Sequence, residues 1–194
     1  GRMAQAAEVM GEALAQQTGE PRYADCGGEV KADLDRLMQE ADLDALLVLG
    51  PGSHNGSMMY FTGRAKLSDG TLLLKRRGQP PTLFHYPMER DEAARTGLAT
   101  RSMNDYEPVR LLQEAGGDTV QAAAKLWSVI FDQYGVRGRV ALYGKVDLGP
   151  SFSALNRLTA SRNSFEFVGE PSRTSVLTRA RATKDPQEVE RIRK

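Results

Sequence analysis

The feature that most constrains this chain is the run Ala45-Leu46-Leu47-Val48-Leu49, preceded by Asp44 and closed by Gly50-Pro51-Gly52. It is too short for a helix and shows no polar alternation, so it suits a strand buried on both faces. Such a strand needs helices to cover it, and the flanking sequence supplies them. Glu29–Ala41 places Leu34, Leu37, Met38 and Ala41 at helical spacing. Two further strands, Thr71–Arg76 and Thr82–Tyr86, flank the turn Gly78-Gln79-Pro80-Pro81. Pro87–Thr96 reads as a helix stopped by Gly97. Asp118–Tyr134 is the strongest helix: Asp118 caps it, Gly135 ends it, and Val120, Ala123, Ala124, Trp127, Val129, Ile130 and Phe131 form its apolar face. Arg139–Tyr143 is another buried strand, Ser151–Ser161 a helix with Leu155 and Leu158 inward, and Phe165–Val168 a last strand. This alternation predicts one layered α/β domain with a mostly parallel or mixed sheet, complete by about Glu170, and a segment after it that runs outward.

Composition narrows the function classes. The 194 residues are 40% hydrophobic and 26% charged with a net charge of +1, the balance of an ordinary globular chain. Acids and bases are interspersed, which argues against a nucleic-acid surface or a membrane patch as partner. The single cysteine, Cys26, cannot pair internally, so a cytoplasmic location is the default expectation. No apolar run reaches the roughly 20 residues of a membrane helix, and no signal-peptide pattern is visible. Met3–Gln17 reads as an Ala-rich helical extension and Thr18–Gly28 as a linker.

Chemistry-bearing motifs are sparse. His54 and His85 stand apart, with neither an HExxH nor a CxxC pair, so no metal site is expected within this chain. No GxSxG elbow occurs, and Ser53-His54 adjacency does not orient a Ser–His relay. His85 alternates with Leu83 and Phe84 and reads as a hydrogen-bonded structural histidine, and Trp127 as core. The glycine-rich loop Gly50–Gly56 follows a strand, as a phosphate-binding loop would. Ser57–Gly63 does not read as an apolar-striped helix, however, and no Gly-Lys-Ser/Thr follows. A turn at the sheet's edge is the favoured reading over nucleotide binding. That loop is still the expected ligand-facing surface, because open α/β sheets bind at the carboxyl ends of their strands.

Three stretches together resemble the N-terminal domain of the creatinase/prolidase/aminopeptidase P family, the two-domain pita-bread metallopeptidases. Leu37–Val48 is similar to the family's opening helix, short turn and first strand. Tyr60-Phe61-Thr62-Gly63 looks like its recurrent Tyr-Leu-Thr-Gly at the start of the second strand. Arg181-Ala182-Thr183-Lys184-Asp185-Pro186-Gln187-Glu188-Val189-Glu190-Arg191-Ile192-Arg193 resembles the segment that leads into the catalytic domain. There Asp185, Pro186 and Glu188 read as a well-capped helix start.

The resemblance implies a three-layer α/β/α domain over 29–170, with a mixed, mostly parallel sheet of about five or six strands. Residues 1–28 would precede it, and 171–194 would link it to a catalytic domain absent from this chain. The parent would be an Xaa-Pro peptidase or creatinase-type amidohydrolase using two divalent metal ions (Mn, Co or Zn), whose ligands lie in the missing domain. This chain alone would bind no cofactor and be inactive. It would contribute homodimerisation and substrate gating over a peptide or small amide, with His54, Asn55, Tyr60 and Arg64 as candidate gating residues. The competing expectations are a stand-alone peptide- or protein-binding module of the same fold, and a nucleotide-binding protein using Gly50–Gly56.

Overall fold

The computed structural model describes residues 28–161 and 164–182. The expected extension over Met3–Gln17, the linker around Cys26 and the helix begun by Asp185 and Pro186 lie outside the described residues. The helices are α1 (Gly28–Glu40), α2 (Gly56–Thr62), α3 (Arg90–Arg95), α4 (Pro108–Glu114), α5 (Thr119–Gln133), α6 (Leu148–Ala160) and α7 (Val176–Ala182). The strands are β1 (Ala45–Leu49), β2 (Leu72–Arg76), β3 (Thr82–His85), β4 (Ala99–Ser102), β5 (Gly138–Gly144) and β6 (Phe165–Val168). They form one sheet in the order β4-β3-β2-β1-β5-β6. β1–β5, β5–β6 and β3–β4 pair in parallel, whereas β2 runs antiparallel to both its neighbours. The sheet is thus mixed and mostly parallel, as expected.

The unbroken apolar run of β1 has a direct cause. Leu46 and Val48 enter a core on one face of the sheet, while Ala45, Leu47 and Leu49 enter a second core on the other. The first core is covered by Leu34, Leu37 and Met38 of α1, Met58 and Phe61 of α2, Ala93 of α3, and Val176, Leu177 and Ala180 of α7. Ala124, Ile130 and Phe131 of α5 and Leu158 of α6 close the second. Three layers, α/β/α, follow from that split. Truncating any of these fully buried leucines would cost about 2–5 kcal/mol.

One charge sits inside this apolar frame. Lys75 shares the β2 face of Leu73, directly beneath α1, and its side chain is 2% exposed. Its ammonium donates to Asp35 Oδ1 at 2.5 Å, to the Gln79 carbonyl at 2.7 Å and to the Arg76 carbonyl at 3.0 Å. Asp35 also accepts from Gly78 N at 2.8 Å, so a single carboxylate ties α1 to the β2–β3 hairpin. With all three donors used, the desolvated charge is offset within the chain.

Several expectations are corrected. The Tyr60-Phe61-Thr62-Gly63 stretch does not start a strand; it is the last turn of α2 and its cap. Gly63 adopts φ 64° and donates to the Met59 carbonyl at 2.9 Å, a helix-ending geometry that glycine takes without strain. The segment after Glu170 does not run outward. Its helix α7 folds back onto α1, burying three side chains, and Arg179 Nη2 pairs with Glu40 at 2.6 Å. Val129 is exposed and Trp127 only half-buried, so the apolar face of α5 is narrower than its sequence suggests. β4 and α4 were not foreseen. β4 alternates exposed and half-buried residues at the sheet's edge, and α4 starts at Pro108 after Glu107 in a left-handed conformation.

Candidate functional site

β1 and β5 are parallel neighbours whose connections diverge: β1 leads to α2 on the first face and β5 to α6 on the second. This is the topological switch point of an open α/β sheet, and it sits at the strands' carboxyl ends. Glycine makes the close approach possible. A Cβ on Gly50 (φ 101°) would lie 2.1 Å from the Lys145 carbonyl oxygen, and one on Gly144 (φ 137°) 2.0 Å from that of Leu49. Both values are far inside contact distance, so backbone meets backbone at the switch point, where an open α/β sheet has its crevice.

The loop above it is pinned on several sides. Gly50 N donates to the Thr71 carbonyl and Gly52 N to that of Leu67, each at 3.0 Å. The Leu49 carbonyl accepts from Lys145 N at 3.1 Å and from Asn55 Nδ2 at 2.9 Å. Asn55 is the N-cap of α2, its Oδ1 accepting from Met58 N at 3.2 Å. Both ends of its amide are therefore committed inside the chain, and at 3% exposure it positions the loop rather than presenting a group to a ligand. His54, next to it, is exposed with φ 55°, a conformation worth about 1 kcal/mol of strain in a non-glycine residue. The loop thus presents Ser53 and His54 at its tip.

The other two candidates lie elsewhere. Tyr60 is half-buried on α2, its ring edge-on to Phe61 at 4.9 Å. Arg64 is exposed beyond the carboxyl end of α2. Of the four candidates, only His54 and Asn55 adjoin the crevice. His85 is buried, with Nδ1 2.8 Å from the Tyr86 carbonyl, to which it donates.

Groups the sequence reading did not single out complete the site. Lys145, Val146, Asp147 and Leu148 leave β5 on the far side of the crevice, all exposed, and Phe152 follows on α6 at 58% exposure. Their signal was the closure of the Arg139–Tyr143 run by Gly144, which parallels the closure of β1 by Gly50. Behind the crevice, the Tyr143 hydroxyl donates to Glu170, whose carboxylate also accepts from Val176 N at the start of α7. Burial, and then the Glu170 partner, push the Tyr143 phenol well above its ordinary range. The guanidinium of Arg181 lies against Gly56, where a Cβ would come within 2.8 Å of Nη1. α7 is thereby seated on the loop as well as on the core.

A helix does follow Gly50–Gly56, contrary to expectation, but its first turn is occupied by the Asn55 cap and crowded by Arg181. Among the described residues, no three His, Cys, Asp or Glu side chains converge to hold a metal ion, so they do not fit the dimetal centre that the resemblance implies. What this edge offers is recognition chemistry: an imidazole, a hydroxyl, an ammonium and exposed Val146, Leu148 and Phe152. Among the described residues, no helix is long and apolar enough to cross a membrane.

The architecture has counterparts among solved structures. The chain is similar to the X-Pro aminopeptidase from Thermotoga maritima MSB8, with a TM-score of 0.54 and 17% identity, over 84% of this chain and 38% of that one. A dipeptidase from Pyrococcus horikoshii OT3 gives 0.53 and 15%, over 83% and 38%. The prolidase from the same organism gives 0.51 and 14%, over 84% and 38%. No family model matches the chain, and no curated protein sequence does. The likeness is one of fold: the creatinase/prolidase N-terminal-domain fold, as the three sequence stretches suggest. The chain spans 38% of the length of each of these peptidases.

Proposed function

We propose that this chain is the non-catalytic N-terminal domain of a cytoplasmic, metal-dependent Xaa-Pro peptidase or creatinase-type hydrolase. In this reading the carboxyl edge of its sheet packs on a second subunit and gates access of a peptide or small amide. The observation that carries the proposal is the fold match over more than four-fifths of this chain against 38% of each peptidase. The remaining length of such a protein is where two divalent ions and the bond-breaking residues would reside. The strained, exposed His54 supports a role for the loop, because backbone strain persists where function holds it. The exposed Leu148 and Phe152, which follow β5 at the same end of the sheet, suit a surface covered in an assembly.

The test is hydrolysis of an Xaa-Pro dipeptide with Mn²⁺, Co²⁺ or Zn²⁺, by this chain and by the product of the full open reading frame. The expected result is turnover by the longer protein alone, reduced when His54 is replaced by alanine. Turnover by this chain itself would overturn the proposal. An open reading frame ending at Lys194 would also overturn it, in favour of a peptide- or protein-binding module.

A further inference from the structure

At the opposite edge of the sheet, where β1 and β5 begin, an open surface depression of about 350 Å³ is lined by Asp44, Arg76, Arg77, Gly135, Arg137 and Gly138. We propose that it is an anion-binding site for a small phosphate-bearing ligand of at least two negative charges, such as a pyrophosphate or a phosphate monoester.

The three arginines come from two places in the chain: Arg76 and Arg77 are consecutive at the end of β2, and Arg137 lies in the α5–β5 turn. A single carboxylate faces them, and it is already engaged. Asp44 Oδ1 pairs with Arg77 Nη2 at 2.8 Å, and Oδ2 accepts from Arg139 N at 2.9 Å. Arg76 is set by the ring of Tyr134, with its guanidinium carbon 6.0 Å from the ring centroid, which orients the charge without neutralising it. Arg137 has no ion pair or hydrogen bond among the described residues. Two guanidiniums in one concavity are therefore left without a counter-charge. The carboxyl end of α5 at Tyr134 and Gly135 carries partial negative charge, enough to favour one nearby cation but not to neutralise two.

The frame is rigid, as a site requires. Asp44 N and O bond to the Arg139 carbonyl and to Arg77 N at 2.9 and 2.8 Å. Gly138 (φ 71°) leaves room for the Asp44 carboxylate, which a Cβ would meet at 2.0 Å. Guanidinium forks match tetrahedral phosphate oxygens in bidentate fashion. The site lies at the far end of the strands from the proposed assembly edge, so it does not depend on that reading.

The test follows backbone amide shifts of the full chain during titration with pyrophosphate at fixed ionic strength, with citrate as a polycarboxylate control. Saturable shifts at Gly135, Arg137 and Gly138 are expected, with pyrophosphate preferred over citrate. Arg137→Glu, on an exposed turn where folding is not at stake, should weaken binding about tenfold or more. Arg110→Ala, on exposed α4, should leave it unchanged. The proposal is overturned by non-saturating shifts into the millimolar range, by equal affinity in Arg137→Glu, or by citrate binding as tightly as pyrophosphate.

Discussion

At the carboxyl edge of the sheet the chain closes on itself with glycine and backbone carbonyls, whereas at the amino edge it closes with charged side chains. Gly50 and Gly144 let β1 and β5 touch where no side chain fits. Asp35, Asp44, Lys75 and Arg77 knit α1, β1 and the β2–β3 hairpin through ion pairs at 2.5 and 2.8 Å. One edge is thus made precise by steric exclusion of backbone against backbone, with Ser53 and His54 presented at its loop. The other is held by electrostatics and keeps positive charge to spare. The two should respond differently to mutation and to salt.

Gly144→Ala gives the largest expected effect, a loss of about 3 kcal/mol or more in urea unfolding, because its Cβ would strike the Leu49 carbonyl. Gly78→Ala, at φ 71° in open space, should lose only about 1 kcal/mol. Equal losses at the two sites would mean that conformation rather than contact governs both. Next comes Lys75→Met, which keeps the buried stem and removes the charge. It should cost about 2–3 kcal/mol, little changed by 1 M salt since the ammonium itself is buried. A salt-sensitive loss would place Lys75 nearer to water than its burial states.

His54→Gly should gain about 1 kcal/mol in thermal unfolding by relieving a left-handed residue. If the gain is absent, strain at the loop tip is not stored there. The smallest effect belongs to the exposed Glu40–Arg179 pair between α1 and α7. Hydrogen bonds from Arg179 and Arg36 hold the Glu40 carboxyl below its ordinary 4.5. A depressed carboxylate contributes stability above its unfolded-state value and loses it as pH falls through the lowered one. The melting temperatures of Glu40→Gln and the parent chain should therefore differ slightly at neutral pH and converge in acid.

How much was legible follows from the same physics. β1, β2, β3 and β5 were readable as apolar runs because both faces of the sheet are covered there, and β6, at the sheet's edge, from the alternation Phe165-Glu166-Phe167. β4 was not: Ala-Thr-Arg-Ser pairs with β3 alone and carries no apolar signal. Seven residues are too few for α2 to show periodicity, although Asn55 three residues before Met58 and Gly63 at the end were its punctuation. α7 was hidden by its small footprint of Val176, Leu177 and Ala180, which only the facing leucines of α1 make meaningful. Of the candidate site, the position of the loop was readable from strand order logic. The commitment of Asn55 was not, because it depends on a carbonyl six residues back turning toward it.

The placement of β1 between β2 and β5 also sets an order in time. Its pairing with β2 is nearly local, but the partner of Ala45 on its other side is Val140. During synthesis the most apolar strand of the chain waits with one row of backbone groups unmet until β5 emerges, and parallel pairing over such a span is slow. α1 waits longer still, since Glu40 and Arg179 meet across 139 positions. Folding of this domain therefore waits for β5 and α7 to be made, and until then the free edge of β1 is open to other strands.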